Sequence, residues 1–320
     1  MKKKIEIFCT LGPSTLNRNF LQFSNNKVSL LRLNMSHVKI KQLASTIKFI
    51  RKFSNVPICV DTEGAQIRTK VIKKKNYKNN NQIIIFKNKG NFKIYPPEIF
   101  DKLKKNDSLN IGFDGLEIKI IRILKDKIIC KTLKSGLLEN NKGVHLTNRD
   151  ILLNFVTKKD VEAIKIAKKM NIKYFALSFT NTPMDIIKFN KLLKNKIKIF
   201  KLETKIAIKN LNKIISTGNN FLIDRGDLSK DVSIEMIPVV QRKILRRANL
   251  KNKRVYVATN FLESMINNSY ATRGETNDIY NTLEMGASGI VLAAETAIGK
   301  YPKECITFLK KIIKVFEKNK

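Results

Sequence analysis

Blocks of apolar residues alternate with amphipathic stretches along almost the whole chain. The amphipathic stretches carry apolar positions three or four residues apart, which predicts helices at 158–170, 183–194, 207–217, 237–250 and 302–318. The short apolar runs between them predict strands at 5–12, 28–34, 57–61, 174–179, 197–203, 220–227, 255–260 and 289–296. Strands and helices in regular succession predict an α/β fold, a TIM (β/α)8 barrel.

The segment from 70 to 149 breaks this rhythm. Short β-rich runs lie at 82–88, 108–113, 116–124 and 127–133, with turn residues and lysine-rich loops between them. This pattern predicts a small, β-barrel-like domain inserted after the third barrel strand. The catalytic barrel is then expected to span 1–69 and 150–320, with the insertion acting as a mobile lid.

The chain of 320 residues carries a formal net charge of +37 at pH 7. Its lysines are spread along the whole sequence, arginine is scarce beside lysine, and no basic patch is interleaved with aromatic residues. Nucleic acid is therefore not an expected partner. The abundance of Lys, Asn and Ile together indicates a compositional bias of the source genome, and the charge still favours anionic substrates.

Hydropathy and cysteine spacing indicate the expected compartment. No apolar run reaches about 18 residues, and Glu6 and Gly12-Pro13 interrupt the N-terminal one, so neither a membrane span nor a signal peptide is expected. The four cysteines are widely scattered and are expected to be reduced and mostly buried. A cytoplasmic protein is the expectation, and a homo-oligomer formed through the barrel stays an open alternative.

Polar residues close several predicted strands. Lys201 and Glu203 end the fifth strand, and Asp227 ends the sixth. Because the carboxyl ends of parallel strands meet at one face of a barrel, a lysine and two carboxylates are expected to converge. Such a group suits a divalent metal that holds a phosphorylated substrate. The alternatives are a surface position for Lys201 and a structural ion pair of Arg32 with Asp61 or Glu203.

A set of segments, taken together, resembles the pyruvate kinase family. They are CTLGPST (9–15), LRLNMSH (31–37), VDTEGAQIRT (60–69), KGVHL (142–146), ALSF (176–179), KLE (201–203), RGDL (225–228), IPVVQRK (237–243), ATNFLESM (258–265), TRGE (272–275) and AAETAIGKYP (293–302). They stand in the family's order, at about its spacing, over nearly the whole chain.

The resemblance implies a kinase, a phosphotransferase of glycolysis that converts phosphoenolpyruvate and ADP to pyruvate and ATP, with Mg²⁺ or Mn²⁺ and with K⁺. Two alternatives stay open. One is a catalytically weak paralogue with a binding or regulatory role. The other is a related barrel enzyme that acts on another enol or 2-keto acid.

The resemblance also implies roles for single residues of the catalytic centre. Glu203 and Asp227 would hold the divalent metal, and Lys201 would neutralise the phosphoryl group in flight and the developing enolate. Arg32 would grip the transferring phosphate. Thr259 would lie on the proton path to the enolate carbon.

Further implied residues bind the substrate, a monovalent ion or the nucleotide. The backbone of Gly226 and Asp227, with Thr259, would bind the substrate carboxylate. The potassium pocket would consist of Asn34, Ser36, Asp61 and Thr62. The nucleotide-binding residues would be Asn34, His37, Arg68, Asp114 and Lys142.

The chain departs from the family pattern near several ligand loops. Residues other than glycine stand where the family usually has glycine, at Val38, Ala207, Ser229 and Ala294. Asp224 precedes the RGD segment where a small apolar residue is usual. Gln66 stands where Glu or Lys is linked to potassium dependence. The sequence ends after the last barrel helix, so we expect no C-terminal effector domain, hyperbolic kinetics and no response to fructose 1,6-bisphosphate.

Overall fold

The computed structural model describes residues 4–112, 115–149, 151 and 153–319. The chain forms two compact units. One comprises Met1–Gly64 and Phe155–Lys320, and the other comprises Ala65–Asn154.

The larger unit is a closed barrel of eight parallel strands, which confirms the predicted (β/α)8 fold. The strands are Glu6–Thr10, Leu30–Asn34, Ile58–Asp61, Tyr174–Leu177, Ile197–Leu202, Asn220–Asp224, Arg254–Ala258 and Gly289–Leu292. They pair in chain order, and the eighth closes on the first with Gly289 opposite Glu6. All eight carboxyl ends therefore lie at one face.

Helices surround these strands because their apolar residues repeat at helical spacing. In Ile40–Phe53, for example, Leu43, Ile47 and Ile50 form one buried stripe. The barrel's other helices are Arg18–Ser24, Lys158–Lys169, Pro183–Leu192, Lys205–Lys209, Leu211–Thr217, Arg225–Leu228, Ile237–Asn249, Arg273–Glu284, Ala294–Ala297 and Pro302–Lys318, with 3-10 turns at Ile234–Met236 and Glu263–Ile266.

The alternation of side chains along each strand separates two cores. Inward-facing residues fill the barrel interior, namely Phe8, Leu30, Cys59, Ala176, Ile199, Leu222, Tyr256, Ala258 and Val291. The residues between them face outward and pack beneath the helices, as Phe200 and Phe221 do with ring centroids 6.2 Å apart. This layering is the packing expected of a barrel whose centre is filled by side chains.

The inserted unit is rich in antiparallel strands and has an apolar core of its own. One sheet contains, in order, Val144–Leu146, Ser108–Ile111, Leu116–Ile123, Lys127–Lys134 and Gln82–Phe86. Two ladders pair Gly136–Leu138 with Lys75–Tyr77, and Arg68–Val71 with Phe92–Tyr95. A 3-10 turn spans Pro97–Lys102. Because the strand Arg68–Val71 pairs within this unit, the unit begins before the predicted boundary at residue 70.

The residues that the structure describes contain no helix with the length and apolar character needed to cross a membrane. Each of the four cysteines, Cys9, Cys59, Cys130 and Cys305, is a buried free thiol. This confirms the expectation of reduced, buried cysteines.

Candidate active site

Polar side chains lie at the carboxyl end of the barrel, directly above the apolar residues that fill its interior. Arg32 follows the interior residue Leu30 by two positions, and Lys201 follows Ile199 in the same way. Side chains two apart on a strand face the same side, so these polar groups continue the stack. The same spacing applies to Thr10 after Phe8, Asp61 after Cys59, Ser178 after Ala176 and Asp224 after Leu222.

Lys201 lies at the centre of this cluster. Its side chain is only 4% exposed, so the alternative of a surface lysine is wrong. Its Nζ lies 3.0 Å from Glu203 Oε2, 3.3 Å from Asp224 Oδ2 and 3.7 Å from Asp61 Oδ2. It also donates a hydrogen bond to Ser178 Oγ at 3.3 Å. Burial opposes the charged form, but the three carboxylates outweigh it and hold the pKa of Lys201 above its usual range.

Arg32 makes the structural ion pair that the sequence left open. Its Nη2 lies 2.5 Å from Asp61 Oδ2, and its Nε donates to the same oxygen at 2.6 Å. Its Nη1 donates to Thr10 Oγ1 at 3.0 Å. These bonds use three N–H groups, and a guanidinium carries five. The pairing with Asp61 therefore leaves donor capacity for an anionic ligand.

Glu203 lies one residue past the fifth barrel strand and is buried. Its Oε1 accepts a hydrogen bond from the Phe179 amide at 2.6 Å. Its Oε2 accepts none, although Lys201 Nζ is 3.0 Å away. Burial raises the pKa of Glu203 to about 8, with Lys201 opposing the rise and Asp227 adding to it. A buried carboxylate oxygen with unused acceptor capacity suits a metal ion.

Three carboxylates meet at this point. Glu203, Asp224 and Asp227 each place an oxygen within 4.8 Å of the others. Asp227 lies in the short helix Arg225–Leu228, where its Oδ1 also accepts a hydrogen bond from Lys230 Nζ. Hard oxygen donors in this number fit a divalent cation such as Mg²⁺ or Mn²⁺. The two predicted metal ligands are therefore neighbours, and Asp224 joins them.

Thr259 follows the seventh barrel strand in a conformation that is unusual for a β-branched residue. Its φ is +80°. Its hydroxyl donates to Asp224 Oδ1 at 2.7 Å. Its carbonyl oxygen accepts from Arg225 Nη2 at 2.6 Å and Nε at 3.0 Å, and Asp278 holds that guanidinium at 2.7 Å. The surrounding contacts thus fix a strained backbone at the site.

Gly226 packs directly against Thr259. A Cβ atom at Gly226 would lie 2.9 Å from Thr259 Cγ2, closer than real Cβ contacts allow. Only glycine permits this approach. The packing explains the glycine by itself, and its contact with the substrate carboxylate stays a prediction.

The residues predicted to bind potassium occupy two adjacent strand ends. Asn34 and Asp61 are register partners on the second and third strands. Asn34 Oδ1 accepts a hydrogen bond from the Ser36 amide at 3.0 Å, and Thr62 Oγ1 accepts one from the Ser178 amide at 2.9 Å. The structure places the four residues in one region, while coordination of an ion stays a prediction.

Lys159 brings a positive charge to the same region, which the sequence did not reveal. Its Nζ donates to the carbonyl oxygen of Met35 and lies 3.1 Å from Glu63 Oε2. Met35 stands between Asn34 and Ser36 in the chain. Only the fold brings Lys159 there, since it lies 124 positions away from Met35.

The predicted nucleotide-binding residues are distributed over both units. Asn34 and His37 lie after the second barrel strand, where the His37 amide donates to the Asn34 carbonyl at 3.0 Å. Arg68 and Lys142 belong to the inserted unit. Asp114 lies outside the described residues. Nucleotide binding by this set stays a prediction.

Two site residues received no role from the sequence. Ser178 donates to the Thr62 carbonyl at 2.7 Å and accepts from Lys201, and Asp224 contacts Lys201 as well. The alternation of interior residues was the signal that could have found both. Conversely, the strand-end residue Glu295 has a structural role, because its Oε2 accepts from the Ala293 amide at 2.7 Å.

Comparison with known proteins agrees with this architecture. A family model described as the barrel domain of pyruvate kinase matches residues 2–306. A pyruvate kinase of Staphylococcus aureus (strain MRSA252) is 31% identical over 97% of this chain, and one of Thermotoga maritima is 31% identical over 99% of it. The chain spans 56% of the length of the first relative and 72% of the second. Because the family model includes all eight barrel strands and the relatives match nearly the whole sequence, the chain belongs to the pyruvate kinase family.

Proposed function

We propose that this chain transfers a phosphoryl group from phosphoenolpyruvate to ADP, which yields pyruvate and ATP. The observation that carries the proposal is the meeting of Lys201, Glu203 and Asp227 at the carboxyl end of the barrel. Phosphoryl transfer depends on positioning and charge neutralisation more than on covalent help from the protein. A buried ammonium beside metal-binding carboxylates supplies both. The names of the relatives support the same reaction.

The carboxylates fit Mg²⁺ or Mn²⁺. When bound, the divalent cation supplies positive charge that stabilises the oxygens of the transferring phosphoryl group and of the enolate. Glu203 would hold the metal through Oε2, because Phe179 already occupies Oε1. Asp227 would supply the second protein oxygen.

Lys201 and Arg32 neutralise the substrate in this proposal. The raised pKa of Lys201 keeps its ammonium protonated at neutral pH, so its charge is always available to the phosphoryl group. Arg32 is fixed by Asp61 and Thr10, and it would bind the phosphate with its remaining N–H groups. Thr259, whose hydroxyl is fixed in place, would lie on the proton path to the enolate carbon.

The ion and nucleotide sites complete the proposal. Oxygen atoms of Asn34, Ser36, Asp61 and Thr62 suit K⁺, which accepts carbonyl, hydroxyl and carboxylate ligands. The family resemblance assigns ADP binding to Asn34, His37, Arg68, Asp114 and Lys142. The potassium site is supported by the proximity of its four residues within one region. The nucleotide site is supported by family resemblance alone.

One observation favours a second function. Asp224 contacts both Lys201 and Thr259, so it adds a negative charge where the highly anionic phosphoenolpyruvate would bind. This charge favours a catalytically weak paralogue with a binding or regulatory role, or a barrel enzyme for a less charged enol or 2-keto acid. Such a protein would bind a ligand at the barrel mouth and form no ATP.

A coupled assay tests the proposal. The purified chain is supplied with phosphoenolpyruvate, ADP, Mg²⁺ and K⁺, and pyruvate is followed through lactate dehydrogenase. We expect pyruvate formation by the wild type and its loss in Lys201→Met. Lys198→Met is the matched control, because Lys198 stands on the same strand, outside the cluster, and donates to the Leu193 carbonyl. A folded wild type that forms no pyruvate above the blank would overturn the proposal.

A further inference from the structure

Asp224 is a buried carboxylate in the middle of the site, and the family resemblance assigns it no role. Its side chain is 11% exposed. Its Oδ2 lies 3.3 Å from Lys201 Nζ, and its Oδ1 accepts a hydrogen bond from Thr259 Oγ1 at 2.7 Å. The residue therefore contacts two of the three groups proposed to act in catalysis.

The distances between carboxylate oxygens of Asp224 and of the two proposed metal ligands are close to those between the ligand atoms of one metal ion. The oxygens of Glu203, Asp224 and Asp227 lie within 4.8 Å of one another. Ligands about 2.1 Å from an octahedral Mg²⁺ stand about 3.0 to 4.2 Å apart. Small side-chain adjustments would bring all three oxygens onto one ion.

A second observation points to a cation independently of this clustering. Glu203 is 1% exposed, and its Oε2 is a buried oxygen that accepts no hydrogen bond. Glu203 is one of the three residues of the carboxylate cluster. A buried acceptor without a donor is costly unless a ligand satisfies it.

The three carboxyl groups outnumber the ammonium groups that contact them. Lys230 pairs with Asp227, while Lys201 lies 3.0 Å from Glu203 and 3.3 Å from Asp224. Three carboxyl groups therefore share two ammonium groups. This surplus favours a divalent ion, which can bind in place of a proton before an anionic substrate arrives.

We infer that Asp224 completes a three-carboxylate site that binds a divalent cation, Mg²⁺ or Mn²⁺, in the absence of phosphoenolpyruvate. The inference rests on the proposed function, because it concerns the same metal. A carboxylate has about four acceptor positions, so Asp224 can keep Lys201 and Thr259 while it binds an ion. In this arrangement Asp224 connects the cation to the lysine and the threonine of the site.

Manganese binding without substrate tests the inference. Mn²⁺ is titrated into the protein without phosphoenolpyruvate or nucleotide, and free Mn²⁺ is measured by electron paramagnetic resonance. We expect one bound Mn²⁺ per chain in the wild type and an affinity lower by about 10-fold or more in Asp224→Ala. Asp224→Asn, which is isosteric and uncharged, should weaken binding too. Asp101→Asn is the matched control, because Asp101 is an exposed carboxylate paired with Lys87.

The outcomes separate this inference from the proposed reaction. Wild-type affinity in both Asp224 variants, with binding lost in Asp227→Asn, would mean a two-carboxylate site and overturn the inference. Absence of Mn²⁺ binding to the folded wild type would overturn it as well. Mn²⁺ bound through Asp224 in a protein that forms no pyruvate would sustain it while the kinase proposal fails. If circular dichroism shows that Asp224→Ala does not fold, the isosteric Asn variant decides.

Discussion

Lys201 Nζ lies 3.0 Å from Glu203 Oε2, yet that oxygen accepts no hydrogen bond from it. The ammonium lowers the pKa of Glu203, but burial has the larger effect and leaves the pKa at about 8. In the metal-free protein, Glu203 therefore carries a proton near neutral pH. A divalent cation at Oε2 would replace that proton, so metal binding and proton release should be linked.

Without metal, the free energy of unfolding should fall as pH rises from about 5 to about 8. Glu203 has a pKa of about 8 in the folded chain against an ordinary value of 4.5, so the folded state holds the extra proton in this window. The stabilisation is fully present below the pKa of Glu203 in the unfolded state. It is lost as pH rises through the pKa in the folded state, by about 1.4 kcal/mol for each unit between the two pKa values. Urea unfolding in EDTA at several pH values measures it.

Glu203→Gln is the control for this pH dependence, because a glutamine cannot titrate and nearly preserves the side chain's shape. Its free energy of unfolding should change less with pH than that of the wild type across the same window. Parallel profiles for the two proteins would show that Glu203 does not hold its proton in the folded state.

Asp227→Asn should leave the fold intact and lower turnover by about 100-fold or more, because it removes one charged oxygen ligand from the proposed metal. Asp227 lies in the short helix Arg225–Leu228 and is only partly buried, so we expect little stability to depend on it. The lactate dehydrogenase-coupled assay measures the rate, and circular dichroism checks the fold. Near-normal turnover in this variant would place the metal elsewhere.

The barrel was predictable from the sequence because each strand needs only a short apolar run, and all eight predicted runs overlap observed strands. The errors lie at the strand ends. The run 220–227 was predicted as one strand, but the chain turns into the helix Arg225–Leu228 directly after Asp224. The stretch 207–217 lies over two helices that meet at Asn210, whose side chain donates to the Asn181 carbonyl at 2.9 Å. Such tertiary bonds leave no periodic signal.

The charged residues of the site were predictable from the sequence, but several contacts between their side chains were not. Lys201, Glu203 and Asp227 could be placed together from strand order alone. The contact of Asp224 with Lys201 requires these two inward-facing side chains to lie at nearby levels on adjacent strands. Their levels depend on the pairing register of the fifth and sixth strands. Lys159 could not be found at all, because its approach to Met35 depends on how a helix packs against a distant loop.

Proposed activity should be higher in potassium chloride than in sodium or tetramethylammonium chloride. The four residues predicted for the pocket supply oxygen ligands for a large monovalent ion, and Arg32 already engages the Asp61 carboxylate. Lys159→Met should increase the dependence on potassium, because it removes the ammonium that now binds the Met35 carbonyl. Rates are compared at equal ionic strength to exclude general screening. Equal rates in all three salts would contradict a potassium pocket.

Gly226→Ala should impair turnover by displacing Thr259. The new Cβ would stand 2.9 Å from Thr259 Cγ2, so the threonine must move, and displacement by about 1 Å can cost about 100-fold in rate. Overpacking of this kind costs about 1 to 3 kcal/mol of stability, measurable by thermal unfolding. Thr259→Ser removes Cγ2 but keeps the hydroxyl, so the double variant should recover part of the turnover that Gly226→Ala loses. Purely additive losses in the double variant would show that Gly226 acts independently of Thr259, through its own contact with the substrate.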